Sequence, residues 1–189
     1  MWKASKVSKT FFNNLQLETG VLLKRFDISN PVEPKDEDII TATTGGISLS
    51  CVARLIDLFE DIDNVKTGTK QGQHVEGWDV EMTTTGLELT EETISTALGA
   101  SETNMEGGIV PRECKPEDFK DLFWLSDTAD TTKAFLAVCK NAFSTGGFTL
   151  TASKNTKGNM PLTFKGFYDL ENQEEEPAEF YLLEKVEEE

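Results

Sequence analysis

The chain has 189 residues, with 34 acidic against 18 basic side chains and a formal net charge of −16. That balance weighs against a nucleic-acid or anionic-membrane binder, since both need clustered cations. A 38% hydrophobic content with twelve Phe weighs against a disordered chain. The length suits a single domain with a substantial core. The longest unbroken apolar run, residues 134–139, is far too short for a membrane span or a signal core. The expectation is therefore a soluble protein made in a cytosol and without a membrane partner.

From the N-terminus, residues 1–12 read as an arm that carries Lys3, Lys6 and Lys9 and no acid. Residues 14–18 alternate apolar and polar, Thr19-Gly20 turns, and residues 21–26 are strand-like. Residues 27–38 form a linker broken by Pro31 and Pro34. Residues 39–42 form a short apolar piece before the Gly45-Gly46 break. In the next strand, residues 47–52, Ile47, Leu49 and Cys51 share one face and Ser48 and Ser50 the other. Residues 53–75 lack sustained periodicity and form a long connection, acidic early and rich in Lys, Gly and Gln late. Residues 76–84 alternate cleanly: Trp78, Val80 and Met82 face a core, and Asp79, Glu81 and Thr83 face away.

A single helix is predicted over residues 91–98. Thr90 is its N-cap, Glu91 and Glu92 lie in its first turn, Gly99 stops it, and Ile94, Ala97 and Leu98 form its core face. Further strands are expected at residues 109–114, 121–126, 133–143, 148–152, 162–168 and 180–183, with Trp124 in the core and a hairpin loop at residues 153–159. Residues 171–189 hold nine acids and one Lys and read as a solvated tail around an edge strand. The fold class is mainly β: two packed antiparallel sheets, a sandwich or partial barrel, with one short flanking helix.

Catalytic and metal motifs are missing. The one histidine, His74, sits in a polar, Gly-rich stretch and reads as a solvated loop residue. Residues 46–50 resemble a nucleophile elbow but place Ser50 where a Gly is required. Residues 61–65 begin like a calcium loop and fail at the fifth position. Cys51, Cys114 and Cys139 have neither metal nor redox spacing and are expected to be buried free thiols. No enzyme activity, metal or cofactor is expected.

Three stretches, taken in order, resemble the major tail tube proteins of long-tailed bacteriophages: Phe11-Phe12-Asn13-Asn14-Leu15-Gln16-Leu17-Glu18-Thr19-Gly20-Val21, Ile40-Thr41-Ala42-Thr43-Thr44-Gly45-Gly46-Ile47, and Ser144-Thr145-Gly146-Gly147-Phe148 with the Lys/Asn/Gly hairpin after it. The likeness runs from about Phe11 to Tyr168, and the acidic C-terminal tail departs from the pattern. The resemblance implies six subunits closing into a ring whose inner sheets join into one barrel, with rings stacking into a tube through which double-stranded DNA passes. It implies a virion location after assembly in the host cytoplasm, and other tail proteins as partners. The same fold is shared by contractile-tail and type VI secretion tubes. Lumen-lining residues would be Ser48, Ser50, Asp79, Glu81 and Thr83. Segment 53–75 matches the family's inter-subunit loop, with Arg54, Asp57, Asp61, Asp63, Lys66, Lys70 and His74 as contact residues. Four strands per subunit would give about 24 in the barrel and a bore on the order of 38 Å. DNA near Asp79 or Glu81 would meet like charge and slide. Other readings are a monomeric β-sandwich binding module for carbohydrate or protein, an acidic DNA mimic, and an enzyme.

Overall fold

The computed structural model describes residues 8, 11, 15, 16 and 18–185. Ten residues of the expected arm at 1–12, two of the five in the expected strand at 14–18, and the last four residues of the tail lie outside that set. Nine strands and one helix follow in chain order: β1 (Val21–Leu23), β2 (Thr43–Asp57), β3 (Gln73–Gly86), α1 (Glu91–Leu98), β4 (Ser101–Thr103), β5 (Ile109–Pro111), β6 (Lys120–Asp127), β7 (Lys133–Ser144), β8 (Met160–Lys165) and β9 (Ala178–Glu184). Every strand pair is antiparallel.

The seven main strands form one hydrogen-bonded path, β1-β6-β7-β8-β3-β2, with β9 added to β7. Strand β7 belongs to both halves. Its earlier residues pair with β6 and β9, and its last two, Phe143 and Ser144, pair with Lys165 and Phe164 of β8. One apolar cluster joins the halves: Leu22, Leu122, Trp124 and Ala137 from one, Ile47, Val80, Met82, Leu162 and Phe164 from the other. Two layers thus share a single core, which is how alternating strands bury one face each. Sheet β4-β5 stands apart as a short hairpin beside α1.

Helix α1 begins as its sequence predicts. The Thr90 hydroxyl accepts from the Thr93 amide at 3.1 Å, and the Thr93 hydroxyl accepts from the Thr90 amide at 2.8 Å. The buried face differs from expectation: Thr93 and Ala97 are buried, while Ile94 and Leu98 are only half-buried. Small residues face the sheet because the helix sits close to it, with the Ser144 hydroxyl donating to the Ala97 carbonyl at 2.6 Å.

Several boundaries move. The Gly45-Gly46 pair interrupts nothing: it forms a bulge inside β2, where Thr44 pairs with Thr85 and Ile47 with Thr84. Both glycines have positive φ, which a β-carbon would oppose. Residues 39–42 and 148–152 are not strands and contribute one isolated bridge each, at Ile39 and at Thr151. The expected strand at 109–114 ends at Pro111. The thiols also differ from expectation. Only Cys139 is buried, Cys51 is partly covered, and Cys114 is exposed on the segment after β5. Burial holds the Cys139 thiol up at about 12, so it stays protonated.

Candidate assembly surfaces

The outward face of β2 and β3 assembles the polar residues that the alternation predicted. Ser48 lies opposite Thr83, Ser50 opposite Glu81, and Val52 opposite Asp79. Behind them Val80 and Met82 are buried, and Trp78 packs partly buried against the same core. Strand β8 extends the face, with Thr163 opposite Thr83 and Lys165 opposite Glu81. The charges on this face are mixed. Arg54 Nε lies 3.6 Å from Asp79 Oδ1, and Lys165 Nζ lies 3.7 Å from Glu81 Oε2. Two carboxylates and two cations offset one another, so the face is polar rather than acidic. All four side chains are well exposed, so each pair contributes at most about 1 kcal/mol.

Strands β2 and β3 continue past this face as a two-stranded arm. The pairing of β3 with β8 stops at Glu81, while its pairing with β2 runs on to Gln73 and Asp57. Segment 53–75 is therefore not one loop. Residues 53–57 and 73–75 are strand, and only 58–72 form the tip. Arg54, Asp57 and His74 sit on the strands, and Asp61, Asp63, Lys66 and Lys70 sit on the tip. Asp57 is used within the chain: its carboxylate accepts from the amides of Gly68 at 2.6 Å and Phe59 at 3.0 Å. The Gly68 amide, then that of Phe59, holds this carboxyl below its usual range.

The arm carries exposed apolar side chains that no other described residue covers. Val52, Leu55 and Leu58 are each more than half exposed, and Ile56, Ile62, Val65 and Val75 are also exposed. The outer edge of β2 is a second unsatisfied surface. It is fifteen residues long and, among the described residues, pairs only with β3. Long bare edges invite pairing with another chain, and monomeric proteins generally shorten or cover them.

The arm is fixed at its root by the segment after β8. The Trp78 amide donates to the Tyr168 hydroxyl at 2.8 Å, and that hydroxyl donates to Glu176 at 2.6 Å. Gly77 permits the contact, because a β-carbon there would lie 3.0 Å from the Tyr168 oxygen. Beyond it Pro177 is buried, and Lys140 contacts both Glu175 and Glu179. Burial lowers the Lys140 ammonium, but the hydrogen bonds it donates to Glu175 and Glu179 outweigh that and leave the group raised. Glu179 is held low, chiefly by Lys140. The acidic C-terminal region is thus not a free tail: residues 178–184 are strand β9 and the segment before it is clamped.

Sequence reasoning missed Lys165 and the Tyr168–Glu176 clamp, and it put Arg54 on the inter-subunit loop, whereas the side chain lies beside Asp79. Lys165 was legible in the alternation of Leu162, Thr163, Phe164 and Lys165. The clamp left no sequence signal, since Tyr168 and Glu176 lie in irregular segments and Tyr168 meets the Trp78 amide across a separation of 90 residues. Among the described residues no group of three or more His, Cys, Asp and Glu is placed to hold a metal ion, and no helix is long and apolar enough to cross a membrane.

No protein-family model and no curated protein matches the sequence. Two similar solved structures are a chain of the virion of a native gene transfer agent particle and a chain of the tail of an empty gene transfer agent particle, the latter computed with C6 symmetry. The first has a TM-score of 0.42 and 11% identity, covering 86% of this chain and 95% of that chain. The second has a TM-score of 0.39 and 11% identity, covering 78% of this chain and 90% of that chain.

Proposed function

We propose that the chain is a structural subunit of a phage-like tail tube, with a mechanical rather than a catalytic role. The observation that carries this reading is the arm with its bare edge strand. A single copy leaves a fifteen-residue edge and a row of large apolar side chains facing water. Burying a large side chain is worth about 1.5–3 kcal/mol, so the arm is built for a partner surface. The order of residues between Phe11 and Phe148 resembles tail tube proteins and makes that partner another copy.

In this reading six copies close into a ring through the β2 edge, and rings stack into a tube. The face bearing Ser48, Ser50, Asp79, Glu81, Thr83 and Lys165 lines the bore. Each copy supplies β2, β3 and β8 in full, with the last two residues of β7 at the fourth position. At roughly 4.8 Å per strand and a tilt near 40°, the bore is about 26 Å with three strands per copy and about 38 Å with four. Both are wider than a DNA duplex. A wall of hydroxyls and self-compensated ion pairs offers phosphate no net attraction, so DNA passes without being held.

Negative-stain microscopy of the concentrated protein tests the assembly, with rings or tubes expected; a protein that stays monomeric at millimolar concentration sinks the reading. The bore is tested by Asp79→Lys with Glu81→Lys. The arrangement predicts that these tubes assemble and bind DNA with a strong salt dependence. A structure with both carboxylates on the tube exterior would overturn the lumen assignment.

A further inference from the structure

We infer that copies of this chain join end to end, the Lys154/Lys157 loop of one copy seating on the Asp169–Glu174 loop of the next. This contact deepens the assembly reading above and rests on it. The observation is a segregation of charge along β8. Residues 131–168 contain five Lys and no acid, while residues 169–176 contain five acids and no base. The topology places the 154–157 loop and the 169–176 segment beyond opposite ends of β8. Met160 of β8 pairs with Gly86, and Lys165 pairs with Glu81, on the arm side of β3. The basic loop enters β8 at its Met160 end. The acidic loop leaves beyond the Lys165 end, where Tyr168, Asp169 and Leu170 line a cleft with Arg54 and Glu76 at the arm root.

Both ends are preformed. The basic loop is closed by a pair of hydrogen bonds between Thr151 and Asn159, 3.0 and 2.9 Å, and Leu150 rests on Gly158. The acidic loop is tied by the Glu171 amide to Asp169 Oδ1 at 2.9 Å, and Lys140 holds Glu175. Each end also presents apolar surface beside charge, basic at one end and mainly acidic at the other, where Arg54 also lines the cleft. Phe148 and Leu150 are exposed beside Lys154 and Lys157, and Leu170 is 84% exposed between Asp169 and Glu171. Among the described residues, Lys154, Lys157, Asp169, Glu171 and Glu174 have no ion-pair partner within the chain. A second copy supplies both the opposite charge and the apolar cover. The contact is heterologous, so it propagates instead of closing on itself. Because the arm leaves from the acidic end, the copy seated there is also within reach of its exposed side chains.

The test uses two full-length variants. One carries Lys154→Glu and Lys157→Glu and keeps the acidic end. The other carries Asp169→Lys, Glu171→Lys and Glu174→Lys and keeps the basic loop. In sedimentation velocity, end-to-end association of the natural chain should weaken at least about tenfold between roughly 50 and 500 mM salt, because the charges lie at the exposed rim. Each variant alone should lose end-to-end growth. An equimolar mixture should regain growth as alternating copies, since the kept ends match each other and the two reversed ends are again of opposite sign. Unchanged circular dichroism and melting establish that the variants fold; if the reversed pair does not, Lys154→Gln with Lys157→Gln replaces it. Growth of either variant like the natural chain, or a mixture no larger than its components, overturns the inference. Normal tubes from both variants would overturn it while leaving the tube reading intact. Salt-sensitive chains of copies without rings would do the reverse.

Discussion

The sandwich body and the β2–β3 arm use the same residue types to opposite ends. In the body, Leu22, Leu23, Met82 and Leu136 are fully buried. In the arm, Val52 and Leu55 on β2 and Leu58 at the tip are more than half exposed. The body buries these side chains within one chain and leaves Phe180 and Leu182 of β9 as its own exposed apolar residues. The arm is a two-stranded ribbon, an arrangement that is marginal alone, fixed to the body through the Tyr168 clamp. The contrast teaches that the arm's hydrophobicity was not selected for this chain's own fold.

The comparison breaks most readily in the core. Leu136→Ala removes a side chain with no exposed surface and should cost about 2–5 kcal/mol, read by urea denaturation. Leu55→Ser on the arm should change monomer stability by no more than about 0.5 kcal/mol yet reduce assembly in microscopy. Equal destabilisation by both would erase the distinction between body and arm.

A second variant probes the joint between the two regions. Tyr168→Phe deprives the Trp78 amide of its acceptor and Glu176 of its donor, at a cost of about 1–2 kcal/mol. Hydrogen exchange at Trp78 and outward along the arm should quicken, while exchange in β6 and β7 stays the same. Uniform acceleration would show that the arm and the body unfold as one unit.

The same division explains what was legible in the sequence. Strand β3 was readable because Trp78 to Thr84 alternate without interruption over a buried layer. Helix α1 was readable because Thr90 and Thr93 carry its cap locally. The outer half of β2 was not. Arg54 pairs with Gly77 and Leu55 with Val75, leaving Glu76 as an extra residue in β3, while in β2 the consecutive apolar residues Leu55 and Ile56 are both exposed and carry no alternation. A bulge of that kind breaks the period-two signal at the point where the arm begins. Strand β4 is three residues with two exposed, too short and too polar to carry a pattern. The polar face was found from β2 and β3, but its neutrality was not, because Lys165 lies 84 residues from Glu81 in the sequence and meets it only through the β3–β8 register.

The smallest effect sharpens the comparison at the C-terminal strand. Glu179 is held below its ordinary value of 4.5, first by Lys140 and then by the Tyr181 hydroxyl, so folding favours its carboxylate form. Its contribution is complete above the ordinary value and is lost as pH falls through the lowered one. Lys140 runs the other way: burial lowers it, the carboxylates of Glu175 and Glu179 outweigh that, and its contribution holds below 10.5 and is lost as pH rises through the raised value. Between these limits the clamp is intact. Glu179→Gln should therefore cost a constant amount from neutral pH down to about pH 5. With the carboxylate about a third exposed, that amount should be under about 1 kcal/mol. Below that range the difference between the natural chain and the variant should shrink towards zero, because both then carry an uncharged group at this position. Denaturation curves of the two proteins at several pH values read this directly. A difference that persists unchanged at pH 2 would mean that Glu179 acts through packing against β7 rather than through its charge on Lys140.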